Sequence, residues 1–230
     1  MKKALKILLI VICVIVVIAL CYLAYVLIDY HRIGNGHVTI SGKPDKAMPA
    51  EGELKIVSYN IGFGAYEADY GFFMDGGTES WAWSEERLIE NLSEIGEKIS
   101  SQDADFVLVQ EVDTDATRSY HVDETEIISD SLKGYTSMFA QNYDSPFLFY
   151  PFTEPHGASR SGLLTFSRFD ITNALRMELP IETSVMKLVD LDRCYSVNRI
   201  PTADGKELVL YNLHLSAYTS DGQIANEQLR

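Results

Sequence analysis

Residues 105–113 read DFVLVQEVD, and this stretch decides the fold. Phe106 to Val109 are apolar at both alternating positions, whereas a strand with one face in water alternates apolar and polar residues. The run therefore belongs to a sheet covered on both faces. It then meets Glu111, and a buried strand has little reason to finish on a carboxylate. Open α/β sheets place their ligand sites at the carboxyl ends of strands, which makes Glu111 a candidate site residue. Two further runs share the pattern: LKIVSY at 54–59 is followed by Asn60, and LVLYNLHL at 208–215 contains His214. All three are expected as strands covered on both faces, with their polar residues at one end.

Outward from this stretch, Ser84 followed by Glu85 and Glu86 reads as an N-cap with an acidic first turn. Leu88, Leu92, Ile95 and Ile99 then recur at helical spacing, predicting a helix over 85–100. Strand 54–60, this helix and strand 105–111 make a βαβ-like unit. The connection GFGAYEADYGFFMDGGTESWAW at 62–83 is too long and too glycine-rich to be minimal. Its aromatic residues either plug the core, the commoner use of such side chains, or line a substrate entrance. Beyond Glu111, a weakly helical stretch at 123–132 precedes strand-like runs at 135–140, 146–152, 162–168, 174–179, 186–199 and 206–215. An Asp204-Gly205 turn separates the last two, and a helix is expected from about Gly222.

The N-terminus needs separate treatment. Ile7 to Ile28 is an uncharged apolar run of 22 residues, enough at about 1.5 Å each to cross a hydrocarbon core of roughly 30 Å. A cleaved signal peptide is the rival reading, but its apolar region is usually about 7–15 residues with a small-x-small site behind it. Lys2, Lys3 and Lys6 precede the run and only Arg32 closely follows it, so the N-terminus is expected in the cytoplasm and the rest outside. This predicts a single-pass protein of the cell membrane with an extracellular domain. Residues 1–30 are read as the anchor, 31–53 as a flexible linker on their Gly, Pro and Lys content, and 54–230 as one domain. Beyond residue 32 the chain keeps 15 basic and 32 acidic residues, a net formal charge of −17 that repels nucleic-acid backbones at long range. Cys194 is the only cysteine past the anchor, which excludes an intradomain disulfide.

Glu111 offers the hard oxygen that Mg²⁺ takes, an ion often held by only one or two protein carboxylates with waters and substrate oxygens. Asn60 can orient that carboxylate or face the ion or a phosphate. His214 can donate to a phosphoryl oxygen or protonate a leaving group. Taken together, SYNIGFG at 58–64, LVQEVD at 108–113, SGLLTFSRF at 161–169 and YNLHL at 211–215 resemble the endonuclease/exonuclease/phosphatase superfamily, the pancreatic-deoxyribonuclease-like fold. The resemblance runs from about Leu54 to Arg230. It implies a four-layered α/β sandwich of two mixed sheets flanked by helices, here preceded by one transmembrane helix, and hydrolysis of a phosphomonoester or phosphodiester by metal-activated water. It assigns Glu111 and Asn60 to the metal, with Mg²⁺ expected and Mn²⁺ or Ca²⁺ as alternatives, and His214 and Asn60 to catalysis. Asn212 is read as a substrate contact, and Arg118 as either a substrate contact or a solvated surface arginine.

The family's G-D-x-N and S-D-H segments do not occur in the chain. The sequence is therefore expected to be the N-terminal portion of a longer protein, with the domain incomplete at its C-terminus. The expected substrate is a phospholipid headgroup, a small phosphoester or nucleic acid; the membrane is met through the N-terminal helix, and no protein partner is evident. The alternative is a catalytically incomplete, membrane-tethered binding module of the same fold.

Overall fold

In the computed structural model, which describes residues 2–42, 46–181, 192–216 and 223–229, an apolar helix precedes two stacked sheets. The helix, α1 (Lys2–Asp29), is long and apolar enough to cross a membrane. The first sheet has the order β2 (Ile40–Ser41), β5 (Thr136–Leu148), β6 (Gly157–Ser167), β4 (Phe106–Ala116), β3 (Ile56–Asn60). The second has the order β1 (Gly36–His37), β7 (Asn173–Glu178), β8 (Cys194–Pro201), β9 (Glu207–Leu213). Two helices, α2 (Glu85–Ser100) and α3 (Glu124–Ser131), lie against the first sheet, and a short α4 (Gln223–Gln228) follows β9.

The βαβ unit forms as its residues dictate. Ser84 Oγ accepts from Arg87 N at 3.1 Å and caps α2, whose Leu88, Leu92 and Ile99 are buried. β3 and β4 then pair in parallel, Asn60 opposite Gln110. Two apolar clusters flank β4. Val107, Val109 and Val112 join Phe63, Leu88, Leu92, Ile128 and Phe166 on the helix side, while Phe106 joins Met138, Leu163, Ile200 and Leu210 between the sheets. The 62–83 connection serves as a plug: Phe63, Tyr70, Phe72 and Ala82 belong to the helix-side core. Burying aromatic area of this size favours the closed loop over a solvated one.

Several expectations change. The segment 31–53 is not a flexible linker where it is described, because β1 pairs with β7 and β2 with β5, and Met48 is buried in the inter-sheet core. Val38 and Ile40 pack against the inter-sheet core, an anchorage that the Gly, Pro and Lys content of the segment does not reveal. Neither β3 nor β9 is covered on both faces. They are edge strands of the described sheets, with Ile56, Tyr59, Tyr211 and Leu213 exposed, so only β4 of the three runs is fully interior. The runs at 135–140 and 146–152 are one strand, β5, ending at Leu148. The two sheets flanked by helices are present, but only the first is mixed; the second is antiparallel throughout its described strands. The Asp204-Gly205 turn closes β8 to β9 with Gly205 at φ 81. Of the run 186–199, residues 186–191 lie outside the described residues, as does Gly222 at the expected start of α4.

Candidate active site

Glu111 does not end its strand. β4 continues to Ala116, and the pairing with β6 shifts between Gln110 and Val112, so Glu111 is the extra residue of a β-bulge with φ 58. The left-handed region is unfavourable for a residue with a Cβ and is found chiefly where surrounding structure enforces it, active sites included. The bulge removes Glu111 from the ladder and directs its carboxylate toward the end of β3. There, Asn60 Nδ2 donates to Glu111 Oε1 at 3.0 Å, while Asn60 Oδ1 accepts from Gly62 N at 3.0 Å. Both ends of the Asn60 amide are thus engaged, and the residue orients the carboxylate.

His214 follows the last residue of β9 and places Nε2 3.4 Å from the same Glu111 Oε1. Its Nδ1 is buried and has no hydrogen-bond partner among the described residues. Burial, reinforced by the positive charge of Arg193, pushes the imidazole below its ordinary range, and the Glu111 carboxylate opposes this less strongly. His214 is therefore a neutral imidazole at neutral pH, able to donate from one nitrogen and accept at the other. Three elements from two sheets, β3, β4 and the end of β9, so bring Asn60, Glu111 and His214 together.

The structure does not bring the other two candidates into this cluster. Asn212 is buried between the sheets: its amide donates to Val109 O, Leu164 O and Thr165 Oγ1 and accepts from Gln110 Nε2 at 2.8 Å. With every polar atom engaged it is a tie between sheets and not a substrate contact. Arg118 is neither a substrate contact nor a solvated arginine. It is buried, donating from Nε and Nη2 to Asp113 at 2.9 and 2.8 Å, and its guanidinium lies 4.0 Å from the Phe63 ring centroid.

This buried assembly is what sequence reasoning missed. Ser119 Oγ also donates to Asp113, and Glu124 Oε2 accepts from Asp113 N at 2.9 Å. Burial and the neighbouring Asp113 push Glu124 well above the usual carboxylate range, so it holds its proton. Phe63 has φ 42, and the Arg118 stack fixes the turn after Asn60 to the segment after Glu111. An Asp two residues past the Glu and an Arg five further on are the available signal, but nothing in their spacing says that they are buried.

The fold is similar to that of solved endonuclease/exonuclease/phosphatase proteins. It matches the solved structure of an endonuclease/exonuclease/phosphatase from Beutenbergia cavernae with a TM-score of 0.54 and 21% identity, over 76% of this chain and 42% of that one. An endonuclease/exonuclease/phosphatase family protein from Leptotrichia buccalis matches with a TM-score of 0.46 and 15% identity, over 71% and 54% of the two chains. ANGEL2, a 2',3'-cyclic phosphatase, matches with a TM-score of 0.46 and 14% identity, over 87% and 48%. The chain spans less than half the length of the first of these. No family model and no curated protein matches the sequence.

Proposed function

We propose that the chain carries the Glu111, Asn60 and His214 half-site of a membrane-anchored, divalent-metal-dependent phosphoesterase. The observation that carries this reading is the Glu111 bulge: a strained left-handed carboxylate, held at 3.0 Å by Asn60 and approached at 3.4 Å by His214, on the fold described above. Structure alone gives such an outlier no purpose, and a ligand site supplies one.

The donor set fits Mg²⁺. Both contacts to Glu111 are to Oε1, leaving Oε2 without a hydrogen bond among the described residues, on a side chain 26% exposed. No group of three or more His, Cys, Asp or Glu converges among the described residues. A single free carboxylate oxygen suits an ion that keeps several waters and takes other ligands from its substrate. When bound, Mg²⁺ supplies charge to a phosphoryl oxygen. Asn60 holds the carboxylate in one rotamer, and His214 Nε2–H is placed to donate to an oxygen on which charge develops. The substrate class is a phosphoester, and Lys2, Lys3 and Lys6 before the apolar helix favour a site outside the cytoplasm.

The test uses the full chain in detergent. Mn²⁺ binding is followed by electron paramagnetic resonance, and turnover by release of nitrophenol from bis(p-nitrophenyl) phosphate and p-nitrophenyl phosphate. Glu111→Gln, which removes charge at constant size, is expected to weaken Mn²⁺ binding by at least about tenfold, the scale on which a metal site responds to loss of support. Unchanged affinity would remove Glu111 from the metal. Metal binding without turnover of either ester fits a half-site and the tethered binding module alike, whereas metal-dependent turnover would exclude the binding module.

A further inference from the structure

Residues 145–153, SPFLFYPFT, form an uncharged stretch between Asp144 and Glu154, and three of its rings face solvent: Phe149 is 53% exposed, Tyr150 63% and Phe152 85%. Adjacent large aromatics left in water are unusual in a soluble domain and mark an interaction surface. Their neighbour identifies the partner. Tyr22 Oη donates to Phe147 O at 3.0 Å, Phe147 N donates to Tyr25 Oη at 3.0 Å, and the Phe149 ring meets Tyr22 edge-on at 5.2 Å.

Tyr22 and Tyr25 belong to the apolar run Ile7 to Ile28 of α1. At 1.5 Å per residue they lie about 9 and 4.5 Å before its outer end, at the boundary between hydrocarbon and headgroups if the run spans a core of roughly 30 Å. A loop docked at that level cannot rely on water for its backbone. Both polar backbone groups of Phe147 turned to the helix are satisfied by its tyrosine hydroxyls, as a poorly hydrated setting requires. Aromatic side chains are also those enriched at this depth.

We infer that the 147–152 loop is a second membrane contact, an aromatic wedge seated in the outer headgroup region beside α1. Its occupant is the lipid bilayer itself. The inference rests on α1 spanning the membrane and is independent of what Glu111 does. Two points of attachment, a helix and a loop held against it, fix the orientation of the domain, whereas a helix with a free tether would let it tumble. The loop takes in the end of β5 and leads to β6, whose residues Ser159 to Ser161 pair with β4 beyond Glu111. The wedge therefore turns the carboxyl end of β4 toward the bilayer.

The experiment reconstitutes the full chain in phosphatidylcholine vesicles, with lipids brominated near the headgroup or deeper in the acyl chain. Phe152→Trp, at the most exposed ring, is the reporter; Phe149→Trp is a second reporter, Val16→Trp marks the middle of α1, and the parent chain gives the Trp81 and Trp83 background. The added Phe152→Trp emission is expected to shift to the blue, to be lost to shallow bromines more than to deep ones, and to resist aqueous iodide. Phe149→Trp should behave alike, and Val16→Trp should be lost to deep bromines. If Val16→Trp is quenched by lipid while both loop reporters respond only to iodide, α1 spans and the wedge is wrong. If Val16→Trp escapes the lipid as well, the span fails and the wedge falls with it.

Discussion

Replacing Arg118 by Met should destabilise the domain far more than an ordinary ion-pair deletion. Asp113 has a side-chain exposure of 0% and Arg118 of 9%, so the pair is out of water. Removing the guanidinium takes two hydrogen bonds from Asp113 and leaves its carboxylate with Ser119 Oγ alone among side-chain donors. Breaking a buried pair from one side costs about 3–5 kcal/mol, because the remaining charge is left uncompensated. The lost stack on Phe63 adds up to about 1–2 kcal/mol, part of which a Met sulfur against the ring restores. For a domain of this size the ion-pair loss alone corresponds to a melting temperature lower by roughly 6–20 °C.

Urea unfolding of the full chain in detergent measures this, with Trp emission as the probe. Trp81 donates to Pro155 O and meets Tyr120 edge-on, so it reports the domain while α1 stays helical in the micelle. The double variant Arg118→Met, Asp113→Leu should recover more than half of the loss, since replacing both partners by apolar groups removes the stranded charge. A loss below about 1 kcal/mol for Arg118→Met would mean a hydrated, surface-like pair and would refute the reasoning.

Glu124→Gln should flatten the pH dependence of stability. Burial raises the folded-state pKa of Glu124, so above the ordinary carboxylate range the folded chain holds a proton that the unfolded chain releases. Wild-type stability then falls as pH rises above the ordinary carboxylate range, and in urea midpoints the variant should gain on wild type over that rise. Gly157→Ala meets φ 75 and a Cβ 2.3 Å from Thr117 Cβ, whereas Gly134→Ala meets φ 94 and open space. The first should lose roughly 2–4 kcal/mol and the second about 1, a contrast that equal midpoints would deny. His214→Ala should lower kcat more than it raises KM in nitrophenyl ester assays, and a change in KM alone would make His214 a binding residue.

The βαβ unit was legible because its signals are local. A serine cap, an acidic first turn and four apolar residues at helical spacing place α2 at Glu85–Ser100 as read from the sequence. The edges were not legible, because β3 and β9 are as apolar as β4 and composition does not say which strand lies outside. The pairing of 36–41 was hidden for a similar reason: two-residue strands carry too little pattern to separate from a tether, and only their partners β5 and β7 define them. Asn212 and Arg118 were misjudged because a polar residue near a motif reads as functional until its partners are known.

Glu111 shows the limit most clearly. Alternation assigns odd positions of β4 to one face, and Val107 and Val109 do join the helix-side core. Val112 joins the same core, so the spacing changes from two to three across Glu111. An extra residue reverses the parity of all that follows, and a period-two reading cannot detect it until a partner strand supplies the register. DFVLVQEVD therefore looked like a strand ending on a carboxylate when it is a longer strand interrupted by one. The interruption also explains how a carboxylate can sit mid-strand. The bulge lifts Glu111 out of the ladder toward Asn60 and His214 while Val112 and Asp113 return to the interior, so the apolar continuity that identified the strand and the polar exit that identified the site belong to the same residue.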